Sequence, residues 1–475
     1  MQHIIKKQII NLTLNKKMDA FAIQHLVSER YWREIVPLLQ KLFDNASTEH
    51  EIIHLDKLEV DLGIINIKDI EKGRWNDEVY KKISEQLKLV NAGQPSEEKV
   101  KKQSKTVSSA EQWIFYMRHG YLPWNVLKVT DAWYKNVLEA FAADFIAISK
   151  LRYLIRNNRG VAARIFFHHP INFLEALVET LTAEKQATLS QSIDEIAEVI
   201  IFLNRFDESD KFQKKQLIQK LWNQVLQLSA IGEENLNPSK FAMHLLKSNS
   251  SDNASIHTLP RKFLLKNRLT ASILKQIKKS EVGIEKIMQA DESGGGDTIQ
   301  IETKNRINED GIFIQNAGLI LLHPFLNMFF KNLQLVKEND FEDALSHQKA
   351  LHLLHYLATG LLTSLEHELV IEKILCAYPL ENPVDNKIEL TADELNEADT
   401  LLVEVILQWE ILKGTSVAGL RESFLQRNGK LSTKNNDLHL QVESGAIDVL
   451  LDHLPWNLSM IKLPWMNDIL RVEWR

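Results

Sequence analysis

Three histidines, His347, His352 and His355, fall in one stretch whose apolar residues recur at helical spacing. His352 and His355, at i and i+3, share a face as metal ligands do. No Glu-x-x-His pattern or cysteine cluster accompanies them, and Leu351, Leu353, Leu354 and Leu357 make packing the main work of this helix, so they read as satisfied core or surface histidines. His168-His169-Pro170 reads as a helix end on the same grounds. Leu365-Glu366-His367-Glu368 has the look of a zincin motif but lacks the second histidine four residues after the first, and zinc hydrolysis is not supported. Gly429-Lys430-Leu431-Ser432 lacks both the upstream glycine and the adjacent hydroxyl of a Walker A loop, and no GxGxxG occurs. Gly294, Gly295 and Gly296 stand in a polar stretch with no strand before them, which is linker composition. There is no Gly-x-Ser-x-Gly elbow; Ser444 and Ser459 lie in a turn and beside a strand, and Asp448 and Asp452 read as the solvated side of a strand. The single cysteine, Cys376, has no partner for an internal disulfide and sits between Leu375 and Ala377 as a small buried hydrophobe, which fits synthesis in a reducing cytoplasm. No catalytic residue, metal ligand or cofactor site emerges, and the chain reads as a protein that is not an enzyme.

The elements that would position such groups follow from periodicity. From His3 to Leu14 apolar residues nearly alternate, the signature of a half-buried strand. Between Lys17 and Phe43, Phe21, Leu26, Ile35, Leu38, Leu39 and Leu42 return at helical spacing. Alternation resumes through Ile53, Leu55, Leu58, Val60 and Leu62 before Gly63. Residues 1–92 are therefore a strand-helix-strand unit. Residues 93–110 hold almost nothing that could pack and form a linker. Residues 111–290 are a helical middle, with helical blocks at 137–154 and 174–203, and 291–310 form a second linker. Residues 311–475 form a C-terminal domain with helices expected over 316–332, 345–364, 366–376 and 392–411. A hairpin is expected to follow, in which Leu438, Leu440 and Val442 turn at Ser444-Gly445 and Ile447 to Leu451 runs back. The fold class is α+β and predominantly helical, ending in a small antiparallel sheet.

Size and charge agree with this division. A chain of 475 residues exceeds what one core usually holds, so two or three domains are expected. With 57 basic and 63 acidic residues the net charge is −6, which gives no electrostatic reason to bind nucleic acid or anionic lipid. The start lacks the apolar run of a signal peptide. Ala317 to Phe330, the longest apolar stretch, falls short of the roughly 20 residues that cross a bilayer and reads as core, so no membrane insertion is expected.

Leu-Pro-Trp occurs at 122–124, 454–456 and 463–465. Proline fixes φ and tryptophan adds a large apolar face with one N–H to satisfy, so each corner can anchor a turn or present a contact. With these corners the chain resembles the contractile injection system tape measure family at both ends. At the C-terminal end the resemblance rests on Asn316 to Leu319, Leu322 to Phe325, Leu354 to Gly360, Leu412 to Val417 and Gly419 to Arg427. It continues through Asp448 to Trp456, Ile461 to Met466 and Val472 to Trp474. At the N-terminal end it rests on Ile53 to Gly63 and Gly120 to Trp124. Asn457 departs from the glycine that family members tend to carry after the first C-terminal Pro-Trp.

The resemblance brings no catalytic residue with it. It implies a role in building, or setting the length of, the contractile tail of a phage-like particle. Tail tube, cap or baseplate proteins would be partners, and the chain would work in the cytoplasm during assembly. The residues expected to specify the fold or make contact are Arg421, Glu422, Phe424, Arg427, Trp456, Trp465 and Trp474. A continuous helix of this length would span about 710 Å, whereas a compact fold would be about 60 Å across. Strands, Pro-Trp corners and the absence of sustained heptads favour the compact form, which equally suits a folded chaperone or adaptor that nucleates or caps the tail.

Overall fold

The computed structural model describes residues 3–474 other than 47, 49, 92–99, 127, 205–210, 233–235, 250–310 and 435–436. Its Cα positions cluster into two compact units, 1–111 with 127–140, and 112–126 with 141–475. The linker expected at 291–310, with Gly294 to Gly296, lies outside the described residues, as does 93–99 of the earlier one.

In the first unit, helix α1 (Ala20–Arg30) starts at Asp19, whose carboxylate accepts from the Phe21 and Ala22 backbone N–H groups. It runs through a π-turn at Tyr31–Ile35 into α2 (Val36–Ala46). Pro37 removes an intrahelical donor there, and the wider turn just before it accommodates the ring. Ile23, Val27, Tyr31, Ile35, Leu39 and Leu42 make one buried stripe. It packs with α3 (Ile67–Glu71) and α4 (Trp75–Asn91) through Ile70, Trp75, Val79, Ile83 and Leu87. Strand β1 (Glu51–Leu55) pairs antiparallel with β2 (Val100–Ser104), Ile53 opposite Lys102. Residues 3–14 carry no ladder: Ile9 and Leu12 are exposed, while His3 meets Phe43 and Asp44 of α2 and Leu14 packs on the helices. Alternation alone does not make a strand without a hydrogen-bonding partner, and β1 takes its partner from the polar stretch read as linker.

Helix α5 (Lys105–His119) leads into the second unit, and α6 (Asp131–Ala143) leads to five further helices that pack on one another. These are α7 (Phe145–Asn157), α8 (Arg159–His168), α9 (Ile171–Thr182), α10 (Leu189–Leu203) and α11 (Lys211–Ile231), closed by α12 (Pro238–Asn249). Leu154, Leu177, Ile196, Trp222 and Phe241 are among their buried side chains. Asp144 and Asn158 cap α7 and α8 by accepting from the Ile146 and Gly160 N–H groups.

The C-terminal part opens with the short strand β3 (Ile312–Ile314) and a fully buried 3-10 turn, Ala317–Leu322. Helix α13 (His323–Asn332) follows, with Pro324 in its first turn, where the missing N–H has no intrahelical acceptor to lose. The helix expected over 316–332 is therefore two segments. A short ribbon of β4 (Val336–Lys337) and β5 (Asp340–Phe341) precedes α14 (Ala344–Thr359), then α15 (Val370–Leu375), α16 (Ala392–Gln408) and α17 (Val417–Leu420). Gly318 is required by packing: a Cβ there would lie 1.7 Å from the Phe424 carbonyl oxygen.

A five-stranded sheet closes the fold in the order β3, β6 (Gly429–Lys434), β7 (Asp437–Val442), β9 (Leu470–Glu473), β8 (Met460–Ile461). Leu431 faces Leu440, and Leu440 faces Val472. The fold class is as read from the sequence, α+β with helices predominating, except that β7 and β9 run parallel. The hairpin is corrected: β7 pairs with the preceding β6, and Asp448–His453 is a 3-10 turn. Asp448, expected on a solvated strand face, is buried at 4% exposure. Its carboxylate accepts from the Gly445 N–H and from Arg427, which holds the chain in a turn where a strand was expected.

Candidate functional site

The contact candidates group on the 421–427 corner and the three C-terminal tryptophans. Arg421 begins a π-turn, Arg421–Leu425, right after α17. Its guanidinium donates to the Leu357 carbonyl at 3.1 Å, to the Tyr356 carbonyl at 3.3 Å and to Asp399 Oδ1 at 3.1 Å. It also lies 5.2 Å from the Tyr356 ring centroid. The Tyr356 carbonyl already accepts from the Gly360 N–H that caps α14, and a cation at this end suits the helix dipole. Phe424 is buried against Trp409, ring centroids 4.8 Å apart. Glu422, between them in sequence, is exposed.

Arg427 donates through Nε to the Ser423 carbonyl at 2.8 Å and through Nη2 to Asp448 Oδ1 at 2.9 Å. The second oxygen of Asp448 accepts from Trp474 Nε1 at 3.3 Å. Trp456 donates to the Leu321 carbonyl at 3.1 Å and meets Phe325 edge-on. Trp465, buried, donates to the Leu375 carbonyl at 2.8 Å beside Phe330 and Phe341. Each tryptophan thus carries one satisfied N–H and one apolar face. The structure brings Arg427 and Trp474 together on Asp448, while Arg421, Trp456 and Trp465 each engage a different stretch of backbone.

The histidines serve packing. His352 bridges the Asp385 carbonyl at 2.8 Å and the Ser364 hydroxyl at 3.2 Å, and burial pulls its pKa down. His347 reaches the Cys376 carbonyl at 2.7 Å and stacks on Phe341. His355 lies 3.8 Å from Glu372, whose carboxyl burial pushes up. His168 ends α8, and His169 follows it. Burial pushes the Cys376 thiol well above its ordinary range, away from the nucleophilic thiolate. Among the described residues no group of three or more His, Cys, Asp or Glu could hold a metal ion.

Among the described residues, motif reading missed a cluster of buried charges. Arg164 of α8 and Glu366, both at 0% exposure, pair through Nε to Oε2 at 2.7 Å and Nη2 to Oε1 at 3.1 Å. Lys373 Nζ lies 2.6 Å from Glu366 Oε1, and His168 Nε2 lies 3.1 Å from Oε2. Arg164 also donates to the Met117 and Glu381 carbonyls, and Lys373 to those of Leu380 and Asn382. Burial alone would raise the Glu366 carboxyl; Lys373 and Arg164 outweigh it and hold it far below the carboxylate range. Burial lowers Lys373 to about 8, with Glu366 opposing. No spacing in the chain joins residue 164 to residue 366. The one local signal is Glu366-His367-Glu368 in an otherwise apolar stretch, which reads only as an incomplete metal motif.

The family model described as contractile injection system tape measure protein matches residues 2–474. The chain belongs to that family. No curated protein and no solved structure matches it. The match runs through the helices of 145–249 as well as both ends on which the resemblance rests, so family membership extends to the helical middle. Membership implies interaction with other components of an injection system. Among the described residues, no helix is long and apolar enough to cross a membrane.

Proposed function

We propose that this chain is a non-catalytic assembly protein of a bacterial phage-tail-like contractile injection system and that it sets the length of the tail. The family match over residues 2–474 carries this reading. Support for the non-catalytic part comes from how the charged side chains are used: Glu366, Arg164 and Lys373 satisfy one another inside the protein, and Arg421 and Arg427 complete a helix end and a turn. The partners in this reading are tail tube, cap or baseplate proteins, met in the cytoplasm during assembly. Glu422, together with the half-buried rims of Trp456 and Trp474, is the part of the candidate set available to them.

A second reading, a folded adaptor that nucleates or caps the tail without measuring it, is favoured by one observation. The longest helix among the described residues of the middle, Lys211–Ile231, has 21 residues and packs against α7 and α8, so its reach is only about 30 Å. Tail length measured by electron microscopy separates the two, in strains whose chain lacks or repeats α9 and α10 in frame. Lengths that change in proportion support the ruler; unchanged lengths with few particles support the adaptor; unchanged lengths and yields sink both.

A further inference from the structure

The apolar core of the C-terminal part is drawn from residues 312–470 and Tyr121, and it includes no residue of α7–α12. Those helices bury their own side chains against one another, with α11 meeting α7, α8, α9, α10 and α12. Among the described residues, the polar contacts between the two converge on residues 366–387. Arg164 binds the Glu366 carboxylate and the Glu381 carbonyl. Lys215 of α11 binds Asp385 Oδ2 at 2.7 Å and the Lys387 carbonyl at 3.0 Å, and Lys387 lies over the Phe166 ring at 5.7 Å.

Ionic and carbonyl contacts differ from an apolar seal in how they open. Water replaces each of them with a bond of similar strength, and the buried charges regain their hydration. Closed, they demand complete pairing, since a single unpaired charge makes the closed form costly. Such a seam is either fully shut or fully open. The segment around Gly120 packs against it. The segment touches both sides: Trp113 donates to His169 in the helical layer, while Phe115 and Tyr121 pack on the C-terminal core. Gly120 has φ +77°, and a Cβ on it would lie 2.5 Å from the Leu380 carbonyl oxygen, 2.8 Å from Glu366 Oε1 and 3.0 Å from Arg164 Nη2.

We propose that the polar seam around Arg164 and Glu366 is a release point, at which α7–α12 part from the C-terminal domain as a unit while the core of residues 312–470 stays closed. Opening there would loosen α7–α12, which lose their partners across the seam, while the C-terminal core stays folded. The inference stands whether or not the chain measures length, because it concerns a division within the fold.

Hydrogen exchange read by mass spectrometry on the full chain tests it. In Gly120→Ala, which adds no charge, and in Arg164→Met, amides of α9 and α10 should exchange at least tenfold faster than in the parent, with those of α14 unchanged. Lys349→Met, which breaks the Lys349–Glu394 pair inside the C-terminal domain, should leave α9 and α10 at the parent rate. Equal acceleration of α9, α10 and α14 in the seam variants, acceleration of none, or an effect of Lys349→Met on α9 and α10 overturns the proposal. Should either seam variant fail to fold, the parent in a urea series decides: α9 and α10 opening at lower urea than α14 supports a seam, and coincident opening removes it.

Discussion

Lowering the pH from 7 to 5 should weaken the helical layer through His169. Trp113 Nε1 donates to His169 Nε2 at 2.9 Å, so that nitrogen must keep its lone pair, while Nδ1 faces the Ile165 carbonyl at 2.9 Å and carries the proton. The ring is stacked on Phe173 with centroids 4.3 Å apart. A second proton would turn Nε2 into a donor facing a donor, in a buried site. Burial, only partly offset by the Ile165 carbonyl and reinforced by the neighbouring His168, pulls the pKa from 6.5 to about 3. An unfolded chain takes up the proton near 6.5 and the folded chain refuses it until about 3. The contribution is therefore intact above 6.5 and shrinks as pH falls below it, by about 1.4 kcal/mol per pH unit, or about 2 kcal/mol at pH 5. His367, lowered to about 4 by burial against an opposing Glu368, acts in the same direction, so the parent alone would not isolate His169. The comparison is with His169→Gln, which cannot titrate. Opening free energies of α8 and α9, measured by hydrogen exchange at both pH values, should fall by about 2 kcal/mol more in the parent than in the variant. Equal losses would show that the folded state already accepts the proton and would refute the assignment of Nε2 as an acceptor.

Trp465→Ala should cost the C-terminal domain about 3–5 kcal/mol in urea unfolding, because it opens a cavity beside Phe330 and Phe341 and leaves the Leu375 carbonyl without its donor; a loss below about 1 kcal/mol would contradict that packing role. Asp448→Ala strips one acceptor from Arg427, Trp474 and the Gly445 N–H together and should cost about 3 kcal/mol, with Asp448→Asn recovering part of it; equal stability of the two variants would argue against the charge. Glu422→Ala, at an exposed position, should change stability by less than about 0.5 kcal/mol. If its melting is unchanged and particle yield falls, Glu422 makes a partner contact; unchanged yield removes it from that role.

Periodicity located most helices because a buried stripe must recur with the turn of the helix whatever it packs against. That is why 392–411, 345–364 and the Ala317–Phe330 core were legible, and why the Leu438–Val442 strand was found. Pairing was a different matter. The alternation at 3–14 promised a strand and found no partner, while Val100–Ser104, polar and unremarkable, became one by lying opposite Glu51–Leu55. The return strand after Ser444-Gly445 was misplaced because the carboxylate of Asp448 folds the chain back locally, a choice decided by Arg427 from the far side of the hairpin.

The seven contact candidates stand in the segments that carry the family resemblance, and tertiary structure decides what each does: Arg421 completes a helix end, Arg427 holds a turn, Phe424 packs on Trp409, Trp456 and Trp465 reach backbone carbonyls, Trp474 reaches the Asp448 carboxylate, and Glu422 faces outward. The Arg164–Glu366–Lys373 cluster was out of reach altogether. Composition, helical stripes and family resemblance depend on neighbours in the chain, and these the sequence by itself determined. Which charges meet in the interior depends on side chains some two hundred residues apart arriving at one point away from water, and only the tertiary fold brings them there.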